Sequence, residues 1–270
     1  MEEYILSSIY IYPIKSLGGI SLQQAQVQER GLKNDRRWML VDEEGNFLSQ
    51  RKFAQMALLQ VQLQEEGLMV YHKQELLEPL FIPFNSSPGI EVKVTIWDDT
   101  CIAREVDSKI TKWFTKALGM FARLVHMPES TRRQVDPTYA FDSEVVSFAD
   151  AYPFLVIGQE SLNLLNSKLE KPVPMNRFRP NFVFTGGQPH AEDTWNTFTI
   201  GEIKFRAAKP CARCVLTTID QNTGIKTAEP LKTLATYRTQ NNKVMFGQNL
   251  VHDGEGVIEI GDKLNVLQCK

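Results

Sequence analysis

Cysteine is scarce in this 270-residue sequence: Cys101, Cys211, Cys214 and Cys269 are all there is. A disulfide-stapled secreted domain is a shorter chain with denser cysteines, so that class is excluded and reduced thiols are expected. Histidine is equally sparse. His72, His126, His190 and His252 are scattered, and none sits at helical spacing from a second ligand in a zinc-protease pattern. Charge of one sign is lacking too. Thirty basic residues face thirty-two acidic ones, for a net charge of −2, so nothing in the charge balance draws the chain to nucleic acid or to an anionic membrane. The best apolar run, Phe154–Ile157, is far too short to span a bilayer. The start, Met1-Glu2-Glu3-Tyr4-Ile5-Leu6, is acidic and has no signal-like apolar stretch. The expectation is a cytoplasmic protein with no membrane anchor. No glycine-rich Rossmann or P-loop motif follows a strand, and no internal repeat appears.

What is present is an ordinary globular composition, 43% hydrophobic and 23% charged, enough for a sizeable core. Short strands dominate the first third. Ser8–Tyr12 is apolar and ends at Pro13. Arg37–Val41 turns through Gly45 into Phe47-Leu48. Leu59–Leu63 alternates strictly and returns as Leu68–Tyr71, and Val92–Trp97 returns as Cys101–Val106. A helix is expected to Leu118, N-capped by Asp107 or Ser108 and stopped by Gly119. A strand Ala122–His126 follows, then a polar surface loop or linker, Pro128–Asp142. The second half predicts strands at Phe154–Ile157, Asn181–Phe184 and Val215–Ile219, a helix Glu160–Leu169, a hairpin Phe198–Ala207, and a final hairpin joining Val257–Ile260 to Leu264–Leu267. The fold class is mainly β with some α, and a domain boundary falls near residues 119–130.

Two constellations carry chemistry. The first is Lys209-Pro210-Cys211-Ala212-Arg213-Cys214. Spacing alone leaves several readings: two small apolar residues entering a strand, half a zinc site, or a redox dithiol. A thiolate also suits a metal already bound by sulfur, and Arg213 beside it would favour the thiolate. The second is a dispersed set of cations and amides: Lys15-Ser16, Asp35-Arg36-Arg37-Trp38, and Asn176-Arg177-Phe178-Arg179-Pro180-Asn181. Singly these are common surface features. Together they suit a phosphate-bearing, heteroatom-rich ligand, because Arg offers a planar fork to phosphate and Asn both donor and acceptor.

At these residues the sequence resembles the MOSC-domain family with its N-terminal β-barrel companion, the group of the mitochondrial amidoxime-reducing component and its bacterial relatives. The matching segments run in the family's order. They are Tyr12–Ser16, Gly31–Asp42, Tyr152–Leu155, Arg177–Asn181, Cys211–Asp220 and Phe246–Asn249. The resemblance implies an N-terminal β-barrel-like domain (residues 1–122) and a β-rich MOSC domain (residues 123–270). The first strands pack on the C-terminal half, since residues 1–36 must reach the site, and the barrel is formed mainly by later residues up to about 120. It implies a molybdenum cofactor (Mo-molybdopterin) with Cys214 as catalytic metal thiolate. Lys15, Ser16, Arg36, Tyr152, Arg177, Arg179, Asn181, Ala212 and Arg213 are its implied cofactor contacts, and Cys211 is structural. Ala151 and Tyr152 stand where relatives carry small hydroxyl residues.

The implied activity is reduction of an N-hydroxylated small molecule. Electrons come from a separate donor protein of flavin reductase, cytochrome or ferredoxin type, since no cysteine-rich iron–sulfur segment is present. Rival readings are a carrier of molybdenum cofactor or sulfur without reductase activity, and a pyridoxal-phosphate-binding module with Lys15 as its lysine.

Overall fold

Alternation and turn chemistry produce a strand-dominated fold in the computed structural model, which describes residues 3–85, 89–140 and 144–270. Its main sheet runs in the order Phe154–Gly158, Phe182–Thr185, Tyr4–Ile11, Lys263–Cys269, Trp195–Ile200, Ile203–Arg213 and Lys243–Asp253. Phe154–Gly158 also pairs with Lys243–Asp253, so these strands close into a ring, which removes the open edges of a flat sheet. Inside lie Leu6, Ile9, Phe154, Phe182, Phe184, Trp195, Phe198 and Phe205, all buried. Phe154 stacks on Phe182 at 5.3 Å between ring centres.

The first strand is thus a stave of a ring otherwise built from the C-terminal half. Ile9 pairs with Phe182, and Tyr4 with Leu264. Gln24–Gln28 likewise pairs with Gly256–Glu259. The expected packing of the first strands on the C-terminal half holds. The rest of the first half forms two smaller sheets. One orders Trp38–Val41, Arg123–His126, Asp99–Glu105 and Glu91–Ile96, and the other Leu59–Gln64, Gly67–His72 and Leu80–Pro83. A second apolar core holds Trp38, Met56, Leu59, Val61, Val70 and Phe114. The helix Ser108–Leu118 buries Ile110, Phe114, Ala117 and Leu118 against it. Asp107 accepts a hydrogen bond from the Lys109 amide, and Gly119 ends the helix in left-handed backbone.

Four expectations are corrected. Val215–Thr218 is a short 3-10 helix, not a strand: Thr217 and Thr218 hydroxyls bond back to the carbonyls of Cys214 and Val215 and tighten the turn. Gly256–Glu259 and Lys263–Cys269 are strands but not a hairpin, because each has a long-range partner. The helix begun at Gln159 ends at Asn166, short of Leu169. The stretch from Pro128 is not a mere surface loop: Thr131, Arg133 and Val135 are buried. Its last residue in that reading, Asp142, lies outside the described residues, as do Met1 and Glu2.

Buried guanidinium groups hold that stretch. Arg30 donates to the carbonyls of Thr131 and Glu129. Arg133 donates to the carbonyls of Ser147, Ala149 and Asp150 and pairs with Asp99 at 2.8 Å. Each replaces the hydrogen bonds that irregular backbone would lose on leaving water. The result is a fixed wall, residues 147–152, beside the ring's end.

Candidate functional site

Three irregular segments converge there. Tyr4–Ile11 ends before Pro13, and the chain turns through Lys15 and Ser16. Arg36 sits in the turn before Trp38–Val41, and Arg179 in the turn before Phe182–Thr185. Ser16, Arg36 and Arg179 all have left-handed backbone, with φ of 69°, 49° and 55°, a region side-chain-bearing residues mostly avoid outside functional or constrained turns. Tyr12 lies beneath the two arginines: Arg36 is 4.3 Å and Arg179 4.1 Å from its ring centre. The Tyr12 hydroxyl donates to the Pro180 carbonyl at 3.1 Å, and Arg179 donates to the Leu17 carbonyl at 2.8 Å. Burial lowers Arg179 to about 10 despite the opposing phenol of Tyr12.

Asp35 and Asn181 tie these segments together. Asp35 accepts from the Tyr12 amide at 2.7 Å and from Arg36 at 2.6 Å. Asn181 accepts from Arg36 at 3.2 Å and the Leu155 amide at 3.3 Å, and donates to Asp35 at 3.1 Å and the Tyr10 carbonyl at 3.2 Å.

A cleft lies over this platform. Lys15, Ser16, Arg36, Tyr152, Arg179, Asn181, Ala212, Arg213 and Cys214 all line it. Arg177 does not. It turns to Asp220 at 2.9 Å and the Thr217 carbonyl at 3.4 Å, bracing the helix that follows Cys214, because the Asp220 carboxylate is its nearest countercharge. Arg51, Asp150, Thr217 and Asn249 line the cleft without having been singled out. Thr217 and Asn249 stood in noticed segments, Cys211–Asp220 and Phe246–Asn249. Arg51 and Asp150 carry no local signal, since their 3.0 Å ion pair spans ninety-nine residues.

The strand Ile203–Arg213 delivers the cysteines. Cys214 follows its end and caps the short helix, its carbonyl accepting from the Thr217 amide at 3.1 Å and hydroxyl at 3.0 Å. Cys211 both packs on the apolar cluster around Phe178 and Phe246 and lines the cleft. Arg213 donates to the Cys211 sulfur at 3.0 Å, not to Cys214, because its other arm is held by the Phe178 carbonyl at 2.6 Å. Its buried Nε has no partner among the described residues.

Five cations (Lys15, Arg36, Arg51, Arg179 and Arg213) and a single carboxylate, Asp150, line the cleft. That balance suits an anionic ligand such as a phosphate ester. Among the described residues no three His, Cys, Asp or Glu side chains gather as a metal site. The Cys214 thiol thus stands in the cleft without a cluster of such side chains around it among the described residues. The Arg213 Nε is a donor left unpaired among the described residues.

The sequence is similar to known proteins along most of its length. Residues 4–121 match the MOSC N-terminal beta barrel domain, and residues 143–265 the MOSC domain. Mouse (Mus musculus) mitochondrial amidoxime-reducing component 1 is 32% identical over 282 residues, covering 97% of this chain and 82% of its own. The molybdenum cofactor sulfurase of Arabidopsis thaliana is 32% identical over 275 residues, covering 93% of this chain but 33% of its own. The solved YuaD protein of Bacillus subtilis covers 98% of this chain and 94% of its own at 10% identity, with a TM-score of 0.41. The chain belongs to the MOSC family, in the form that joins a MOSC N-terminal β-barrel domain to a MOSC domain.

Proposed function

We propose that this protein is a molybdenum-cofactor oxidoreductase that reduces N-hydroxylated compounds with electrons from a separate donor protein. The observation that carries the reading is that the Cys214 thiol shares one cleft with five cations drawn from both halves of the chain. When bound, the molybdenum cofactor supplies the two-electron chemistry at the N–O bond. Cys214 serves as the protein's sulfur ligand to the metal. Arg36, Arg179 and Arg213 hold the phosphate end, and Ser16 and the backbone at Ala212 orient it. Tyr152, buried with a free hydroxyl among the described residues, closes the wall. Among the described residues no helix is long and apolar enough to cross a membrane; a cytoplasmic location is part of the proposal, checked by fractionation.

The likeness to the plant sulfurase supports a second reading, a cofactor or sulfur carrier. One experiment separates them. The protein is expressed in a host that makes molybdenum cofactor, and bound molybdenum and pterin are measured for wild type, Cys214→Ala and Cys211→Ala. Wild type should carry both, Cys214→Ala should lose molybdenum, and Cys211→Ala should keep it. Wild type with neither overturns the reading. Loss on Cys211→Ala alone moves the ligand to Cys211. Reduction of a test amidoxime with an artificial donor then distinguishes reductase from carrier. A pyridoxal spectrum in the purified protein would instead favour Lys15 as a Schiff-base lysine.

A further inference from the structure

The cleft holding Cys214 shares a wall with a second cleft, of about 960 Å³ of open space, lined also by Trp97, Asp99, Arg133 and Asp136. Asp150 and Ala151 line both. One Asp150 oxygen accepts from Lys15 Nζ at 2.6 Å and from Trp97 Nε1 at 3.2 Å, and the other from Arg51 at 3.0 Å. Lys15 Nζ also donates to the Phe148 carbonyl at 2.7 Å. An ammonium has three donors, so one N–H of Lys15 has no polar partner among the described residues. Lys15 is 5% exposed and lines the first cleft. A buried ammonium thus faces the cleft of Cys214, and its carboxylate partner faces both clefts.

Other side chains lining the first cleft suit proton delivery poorly. Among the described residues none is a histidine. Burial pushes the Tyr152 phenol well above its ordinary range. Burial lowers Lys15 to about 8; Arg133 and Arg36 add to this, and Asp150 opposes it. The Asp150 side chain is half-exposed; partial burial works to raise its carboxyl, but Lys15 and Arg51 outweigh it and hold it well below the usual range.

We propose that Lys15 protonates the oxygen leaving the substrate and that Asp150 holds Lys15 in place as the ammonium that does so; this rests on the reductase reading. The reaction takes two electrons from the donor protein and two protons. The N–O bond breaks, the oxygen leaves as water, and the nitrogen gains a hydrogen. Lys15 supplies one proton and becomes an amine, which water entering the cleft protonates again. The second proton comes from water.

The test has two arms. In cofactor-free protein, competitive acetylation across a pH series, read at Lys15 by mass spectrometry, should give a midpoint near 8. Asp150→Asn should move it lower, because the carboxylate favours the ammonium. In cofactor-loaded protein, amidoxime reduction per bound molybdenum should fall on the order of a hundredfold in Lys15→Arg. Wild-type activity should decline as pH rises through about 8, a decline absent from Lys15→Arg and shifted to lower pH in Asp150→Asn. A Lys15 midpoint in the ordinary lysine range, or a wild-type rate and profile in Lys15→Arg, overturns the proposal and leaves the reductase reading standing. Loaded wild type that reduces nothing overturns both, with the Lys15 midpoint still measured. If Lys15→Arg does not fold, the Asp150→Asn shift decides, and an unmoved profile refutes the proposal.

Discussion

Asn181 has two jobs of unequal weight. It lines the cleft, but its amide joins four groups on three segments, and the residue is 1% exposed. Asn181→Ala should cost about 2–4 kcal/mol in urea unfolding, since it strands the Tyr10 carbonyl and the Leu155 amide away from water. A loss under about 1 kcal/mol would mean those groups find other partners. The residue type in its Arg-Pro-Asn setting was legible in the sequence, whereas the division of labour was not. Arg177 and Arg179 illustrate the same limit. They stand two apart and look alike as a string, yet one faces the cleft and the other braces Asp220, because the short helix Met175–Arg177 and the left-handed turn at Arg179 send them apart.

The junction of Phe154–Gly158 with Gln159–Asn166 is closed by a buried carboxyl. Glu192 accepts from the Gly158 amide at 3.2 Å and lies 3.1 Å from the Ser161 hydroxyl. Burial raises Glu192 from 4.5 to about 7, with these hydrogen bonds opposing it. A carboxyl raised in the folded state costs stability as pH climbs from its unfolded value through the folded one, because only the unfolded chain has then released the proton. Glu192→Gln removes that cost. Its stability relative to wild type should rise between pH 4.5 and about 7 and level off above, a change on the order of 3 kcal/mol. Chemical denaturation at several pH values reads it directly, and parallel curves for the two proteins would refute it. Elements built on local rules were readable in advance: the paired strands at 59–72 and 91–105 follow from alternation and turns, and Ser108–Leu118 from its caps. Gly256–Glu259 and Lys263–Cys269 misled because alternation states that a strand has a buried face but names no partner. Val215–Thr218 misled because β-branched residues favour strands only where a neighbour is free to pair.

The molecule as a whole is interlaced rather than serial. Tyr4–Ile11 supplies one stave of the ring, and the cleft draws Lys15, Ser16 and Arg36 from one half and Cys214 from the other. A fragment of residues 123–270 would lack that stave and expose the Phe182 and Leu264 backbones. It should fail to show a cooperative thermal transition or protease resistance, and adding back residues 1–122 should restore both. An independently folding fragment would refute the dependence. The family's two-domain pattern was visible in ordered motifs, while closure of the ring was not, since it rests on pairings between distant segments.

The same stave sets a constraint in time. Tyr4–Ile11 is synthesised well before Phe182–Thr185 and Lys263–Cys269, with which it pairs. At about 5–20 residues per second it must wait roughly ten to fifty seconds for those neighbours to be made. Ile20–Leu22 soon pairs with Ile9–Ile11, but through that interval Leu6, fully buried at the end, lacks Phe184, its partner across the sheet. Fast translation or a nascent-chain chaperone would therefore raise the yield of this protein more than that of one whose first strand pairs only with the next strand in line.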